Sequence, residues 1–189
     1  MPKLLLVVGS TREGRRGRVI ADWFLERAQE LGIAEWSVAD LAELDLPWFA
    51  SAKSPAYAGP ADDPAVKRWA AMVQESDGFA WVASEYNHGY AAPLKNAIDH
   101  LYKEWVRKPV AMVTYGGYAG GARAAEQLRQ VAVELQMAPI RFGVHLPLPL
   151  GLVTPEGALD VPDSLAASVG DTVRDLVWWA DALKTAREA

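Results

Sequence analysis

The chain begins with an uninterrupted apolar run, residues 4–8, closed by Gly9 and Ser10. Successive apolar side chains without polar alternation suit a central strand covered on both faces. From residue 18 to 31 the period changes: Val19, Trp23, Ala28 and Leu31 recur at roughly helical spacing, and Gly32 supplies a stop. The same exchange of short β-type runs and longer helical patterns continues along the chain. Residues 35–39, 77–84, 109–113 and 139–144 predict further strands, and residues 64–75 a helix introduced by Asp63-Pro64. Another helix starts near Ala91, with Pro93 tolerated in its first turn, and the second half of 114–137 is amphipathic. Over 162–186, Leu165, Val169, Val173, Leu176, Ala180 and Leu183 form one stripe. Residues 40–64 hold four prolines and little periodicity, predicting a long loop, and 146–157 predict a second proline-rich one.

This rhythm predicts one α/β domain over 1–189: a doubly wound, five-stranded parallel sheet with helices on both faces. In such a sheet, ordered 2-1-3-4-5, ligands bind beyond the carboxyl ends of the strands, where the winding reverses between strands 1 and 3. Three loops, 9–18, 84–90 and 114–121, are therefore expected to converge.

Composition narrows the chemistry. With 189 residues and 51% hydrophobic content the chain can bury a core, and its net charge of -5 argues against broad binding to nucleic acid or anionic membranes. There is no cysteine, and His88, His100 and His145 lack metal-ligand spacing, so no metal site is expected. The apolar run is too short for a signal segment or membrane span, so a soluble cytoplasmic protein is expected.

Against that acidic background, the first loop gathers Arg12, Arg15, Arg16 and Arg18. Exposed cations at a helix N-terminus each cost about 0.3–1 kcal/mol unless an anion compensates. The cluster therefore predicts a resident anion, held by the helix start, by the Ser10 or Thr11 hydroxyl and by Arg12. Neither GxxxxGK[ST] nor GxGxxG is present, which disfavours a nucleoside triphosphate or a dinucleotide. "SEYNHGY" offers groups suited to flanking a planar heteroaromatic ring, and "TYGGYAGG" lets backbone approach a ligand beside two tyrosines.

Together "GSTREGRRGRVIADWF", "SEYNHGYAAPLKNAIDHLY" and "TYGGYAGGARAAEQLRQVAVELQMAPI" resemble the NADPH-dependent FMN reductase family, which includes flavodoxin-like quinone, azo-dye and chromate reductases, over roughly residues 4–146. The resemblance implies bound FMN and a flavodoxin-like fold. It places Ser10, Arg12, Gly17 and Arg18 at the FMN phosphate, and Glu85, Tyr86, Asn87 and His88 around the isoalloxazine ring. Tyr115, Gly116 and Gly117 would line another side of the flavin. Ser84 replaces the proline usual in the second motif, a change expected to loosen the loop or alter its path.

The resemblance further implies a homodimer or homotetramer, with Leu94, Asn96, Ile98, Asp99 and Leu101 as interface candidates. The implied reaction is a ping-pong cycle: NADPH or NADH delivers hydride to the flavin, and a small-molecule electron acceptor, whether quinone, flavin, azo compound or metal oxyanion, then takes its place. No dedicated catalytic acid or base is required. His88 is a candidate proton donor to a reduced quinone, and Trp48 a candidate to stack over the flavin. The alternatives are a flavodoxin-type electron carrier without NAD(P)H oxidation and a related module that has lost its cofactor.

Overall fold

The structure, a computed structural model, describes residues 1–148, 152, 154 and 159–189. In chain order the elements are β1 (Lys3–Val8), α1 (Gly17–Glu30), β2 (Glu35–Asp40), α2 (Leu41–Leu44), α3 (Pro55–Ala58), α4 (Pro64–Glu75), β3 (Gly78–Tyr86), β4 (Gly89–Tyr90), α5 (Ala92–Asp99), β5 (Pro109–Gly116), α6 (Ala122–Glu134), β6 (Ala138–Pro147) and α7 (Asp163–Glu188). The five long strands are parallel in the order β2-β1-β3-β5-β6, which is the expected 2-1-3-4-5 winding of a flavodoxin-like sheet. The two-residue β4 was not expected; it folds back antiparallel on the end of β3.

Strand alternation divides the core between two faces. Leu5, Val7, Phe79, Trp81 and Met112 pack with Trp69 and Val73 of α4, Leu94 and Ile98 of α5 and Leu128 of α6. Leu6, Val8, Ala80, Val82, Val113 and Val144 pack on the opposite side with Ile20 and Phe24 of α1 and with Val169 and Val173 of α7. On the first face Trp105 meets Trp69, Phe79 and Trp81 edge-on, with ring centroids 5.6, 4.9 and 5.8 Å away. Such geometry matches the quadrupoles of the rings.

Several boundaries differ from expectation for identifiable reasons. β3 runs two residues past Ser84 and β5 runs three past Val113, because sheet pairing persists: Ser84 aligns with Tyr115. The inward face of α1 is set by Ile20, Ala21 and Phe24, while Val19 and Leu31 are half-buried. On α7, Val169, Val173, Leu176 and Ala180 are buried, whereas Leu165 and Leu183 near its ends are only half-covered. The 40–64 loop is broken by α2 and α3, whose first turns are capped by Asp40 and Ser54 accepting from Ala42 N and Ala56 N. Much of the loop expected over 146–157 lies outside the described residues. Among the described residues, no helix is long and apolar enough to cross a membrane.

Candidate functional site

β1 delivers the first loop through Gly9, whose N–H donates to Val82 O at 2.9 Å. A Cβ there would lie 2.9 Å from Val82 O and 3.2 Å from Leu94, so the position tolerates only glycine. Ser10 is buried, Gly14 turns through φ +63°, and α1 starts at Gly17. Its N-cap, Arg16, makes no side-chain cap, and the first turn contains no acid. The leading N–H groups and the positive end of the helix dipole therefore face outward uncompensated.

The four arginines divide into two pairs. Arg15 donates to Ser10 O at 2.7 Å and grips Asp40 with both guanidinium nitrogens, at 2.5 and 2.7 Å. Burial pushes the Asp40 carboxyl up, but the Arg15 bond, the Ala42 N–H and the charges of Arg15 and Arg18 outweigh it and hold the group below its ordinary value. Arg18 holds both oxygens of Asp22 at 3.0 Å and approaches Asp40 at 3.7 Å. Arg12 and Arg16 carry no ion pair among the described residues. The anion-attracting charge is thus about half of what four arginines implied, because Asp40 and Asp22 neutralise the rest.

In the second loop, Tyr86 pairs with Gly89 across a two-residue turn in which Asn87 and His88 take φ +51° and +68°. Paired left-handed residues make the type I′ hairpin turn, and asparagine is among the residues that tolerate it best. Both side chains are exposed, and the His88 carbonyl accepts from Gln127 Nε2 at 3.1 Å. The Glu85 carboxylate points to the start of α6, accepting from Arg123 N at 3.1 Å, Arg123 Nη1 at 2.6 Å and Ala124 N at 3.4 Å. Burial raises this carboxyl, but those donors prevail and hold it below its usual range. Glu85 thus anchors the second loop to the third through its side chain.

The third loop keeps Tyr115 buried and Tyr118 exposed. Thr114 Oγ1 donates to Gly120 O at 3.0 Å and lies 2.7 Å from His145 Nδ1. With its single proton committed to Gly120, Thr114 accepts from the imidazole. Burial, helped by the Arg129 charge, lowers the His145 pKa. A Cβ on Gly116 would lie 3.0 Å from the Glu85 Cβ and 3.3 Å from Gly121 N, whereas the same atom on Gly117 would meet open space.

The loops meet around a cleft of about 710 Å³, lined by residues 12–16, 84–86 and 115–117 and by Leu148. Of the sequence candidates, Arg12, Glu85, Tyr86, Tyr115, Gly116 and Gly117 lie on its wall. Ser10 sits behind it, with its Oγ 3.3 Å from the Tyr86 hydroxyl. Gly17 packs against Tyr115, where a Cβ would come within 2.7 Å of the phenol oxygen. Arg18, Asn87 and His88 do not line the cleft. Trp48 borders a neighbouring cleft of about 250 Å³ with Thr11, Asp45 and Asn96.

The helical stripe proposed for subunit contact is mostly interior. Leu94, Ile98 and Leu101 are buried in the chain's own core, Asp99 pairs with Lys95, and Asn96 fixes the 47–49 segment by accepting from Phe49 N and donating to Pro47 O. A hydrophobic period does not distinguish a core face from a subunit face. His100 Nε2 lies 2.8 Å from the same Pro47 carbonyl. Sequence reasoning missed this anchor, the Arg15–Asp40 pair and Thr114–His145, all of which join residues distant along the chain.

The cleft fits a flavin mononucleotide by size and by donor set. Its volume falls within the range of pre-formed small-molecule sites. Ser84 Oγ and Tyr115 OH are buried hydroxyls without a hydrogen-bond partner among the described residues. Orphaned hydroxyls are rare in folded chains, and here both belong to residues of a ligand-sized cleft.

Comparison with known proteins agrees. Residues 2–147 match the family described as NADPH-dependent FMN reductase. An NAD(P)H-dependent FMN reductase of Schizosaccharomyces pombe is 35% identical over 161 residues, covering 77% of this chain and 74% of its own length. A probable NADPH:quinone oxidoreductase of Oryza sativa is 42% identical over 77 residues, 39% of either chain. FerB, a flavoenzyme NAD(P)H:(acceptor) oxidoreductase of Paracoccus denitrificans, shares the fold with a TM-score of 0.73 and 20% identity over 96% of this chain and 98% of that one. With its fold, its three-loop cleft and these relatives in agreement, the chain belongs to the NADPH-dependent FMN reductase family of NAD(P)H-dependent, FMN-using oxidoreductases.

Proposed function

We propose that this enzyme reduces small electron acceptors, quinones foremost, in two half-reactions at the one cleft, with nicotinamide and acceptor occupying the same space in turn. FMN, when bound, accepts hydride from NAD(P)H and passes the electrons on. The observation that carries this reading is the convergence of all three loops on one cleft whose lining includes the buried Ser84 and Tyr115, their hydroxyls without a geometric hydrogen bond among the described residues. Arg12 and the open start of α1 attract and orient the cofactor's phosphate. Tyr115 and the backbone of Gly116 and Gly117 hold its flat portion, and the space at Gly117 keeps that backbone accessible. Relatives named quinone oxidoreductases support quinones as the acceptor class; free flavins, azo compounds and metal oxyanions extend the same reading. We further propose a cytoplasmic enzyme, where NAD(P)H is available, acting as an assembly of two or four copies, a reading that the family resemblance supports.

The test is an anaerobic titration of the FMN-loaded protein with NADH or NADPH. Bleaching of the flavin band without acceptor, its recovery on adding a quinone, and parallel double-reciprocal plots are expected. Intersecting plots would refute the alternating use of one space.

A further inference from the structure

We propose that His145 is a positioning residue for the third-loop wall of the cleft: acting through the Thr114 hydroxyl, it holds the Gly117–Gly120 turn closed and, with it, the Gly116 and Gly117 backbone that the flavin's flat portion meets. The inference rests on the reading that FMN is the bound cofactor. It concerns the ring side of the site, away from the arginine loop.

A chain of three hydrogen bonds leads from the imidazole to the cleft. His145 Nδ1 donates to Thr114 Oγ1 at 2.7 Å, Thr114 Oγ1 donates to Gly120 O at 3.0 Å, and Gly120 N donates to Gly117 O at 3.0 Å. Gly116 and Gly117 line the cleft, whereas His145 does not. The sheet sets up the first link, because β5 and β6 are parallel with Thr114 aligned to His145, so the two side chains leave the same face. A hydroxyl has a single proton. With that proton on Gly120 O, Thr114 has room for a donor on its other side, and a hydroxyl that accepts while it donates is polarised into a stronger donor. The imidazole supplies that donor.

The turn has little of its own to hold it. Residues 117, 120 and 121 are all glycine, the residue that loses most backbone freedom on ordering, and Gly120 and Gly121 take φ +59° and +84°. A Cβ on Gly117 would meet open space, so no neighbour props the chain on that side. Support comes from behind. A Cβ on Gly120 would lie 3.1 Å from the His145 carbonyl carbon, and one on Gly121 2.7 Å from the Thr114 Cβ. The turn is thus seated on the same two residues that make the hydrogen bonds, and a binding wall is only as exact as the contacts that fix it from behind.

The experiment measures FMN and riboflavin affinity by quenching of flavin fluorescence on the full chain, and amide hydrogen exchange in the flavin-free protein. His145→Leu removes the donor and is expected to weaken both flavins alike, by roughly three- to tenfold, the worth of one hydrogen bond. Exchange at the Gly120 amide should quicken by a similar factor while the amides of residues 110–113 in β5 stay unchanged. His145→Asn places an amide nitrogen close to the position of Nδ1 and should restore most of both. His145→Gln carries its amide one carbon further out and should not, so it bears the same prediction as His145→Leu if the leucine variant does not fold. Thr114→Val should lose at least as much as His145→Leu, and the double variant no more than Thr114→Val, since the imidazole acts only through the hydroxyl.

His145→Asn and His145→Gln behaving alike, additive losses in the double variant, or exchange that quickens across β5 as much as at Gly120 would each overturn the proposal. So would failure of both His145→Leu and His145→Gln to fold, which would make His145 a residue of the core alone. Wild type that binds flavin while His145→Leu and His145→Gln bind it equally well defeats this inference alone. Wild type that binds neither flavin defeats the proposed function and this inference with it.

Discussion

Asp40→Asn tests what holds the phosphate-side loop in shape. The Asp40 side chain is 1% exposed and its Arg15 partner 18%, so the pair is largely desolvated. Asparagine keeps the volume and can still accept from Ala42 N, but it loses the charge opposite Arg15 and one of two guanidinium bonds. Removing one partner from a buried pair costs about 3–5 kcal/mol. Arg15 keeps part of its surface in water and one bond survives, which reduces the expected loss to about 2 kcal/mol. In a domain of this size that lowers Tm by about 4–8 °C.

The pH dependence fixes the sign. A carboxyl held below its unfolded value contributes stability above about pH 4, and loses it as pH falls through the folded value. Melting curves should therefore show a gap between wild type and variant at pH 7 that closes in acid. An equal gap at pH 7 and pH 3, or none at pH 7, would refute the ion-pair account. FMN affinity gives an independent readout. Asp40→Asn makes the cleft more positive yet releases Arg15, which also anchors Ser10 O, so pinning and field predict opposite changes. We expect weaker binding; a tighter FMN complex would show that the field outweighs the pinning.

Arg12→Ala should reduce FMN affinity by roughly tenfold or more and Arg16→Ala by only about twofold, as measured by equilibrium titration at fixed salt, because both line the cleft but only Arg12 lies beside the Tyr86 hydroxyl; equal losses contradict the ranking. At the opposite end of the sheet, Lys108 is 6% exposed and donates to Val73 O and Gln74 O at 2.8 and 2.9 Å. Burial, helped by Arg187, lowers its pKa to about 8. Between about pH 8 and 10.4 the unfolded chain retains a proton that the folded chain has released, so this group adds stability as pH rises, by up to about 3 kcal/mol. Urea midpoints of wild type and Lys108→Met should diverge in that direction across the window, and parallel pH profiles would contradict it.

What the sequence discloses is what lies along one stretch of chain. The apolar run before Gly9 reveals β1, and the glycines and hydroxyls after three of the strands mark the loops that meet at the cleft. Partners brought together by the sheet are not written locally. Arg15 reaches Asp40 because β1 and β2 are parallel and align Val8 with Asp40, which places an acid beside the arginine loop. Glu85 looks like a ligand residue in "SEYN", but sheet order sets it against the start of α6, where a carboxylate meets free N–H groups. Ser84, expected to loosen its loop, instead continues β3, since unlike proline it retains an N–H and pairs in register with Tyr115.

The arginines bring these threads together. Counted along the sequence they are four equivalent charges, but only charges without a nearby carboxylate can draw an anion. Asp40 and Asp22 leave Arg12 and Arg16 for that role. Arg15 acts through the backbone instead, holding Ser10 O, so the cluster contains an anchor for the loop as well as a field for the ligand. That is why Asp40→Asn and Arg12→Ala, two changes to one charge cluster, are expected to differ in kind: the first lowers stability along with affinity, and the second lowers affinity alone.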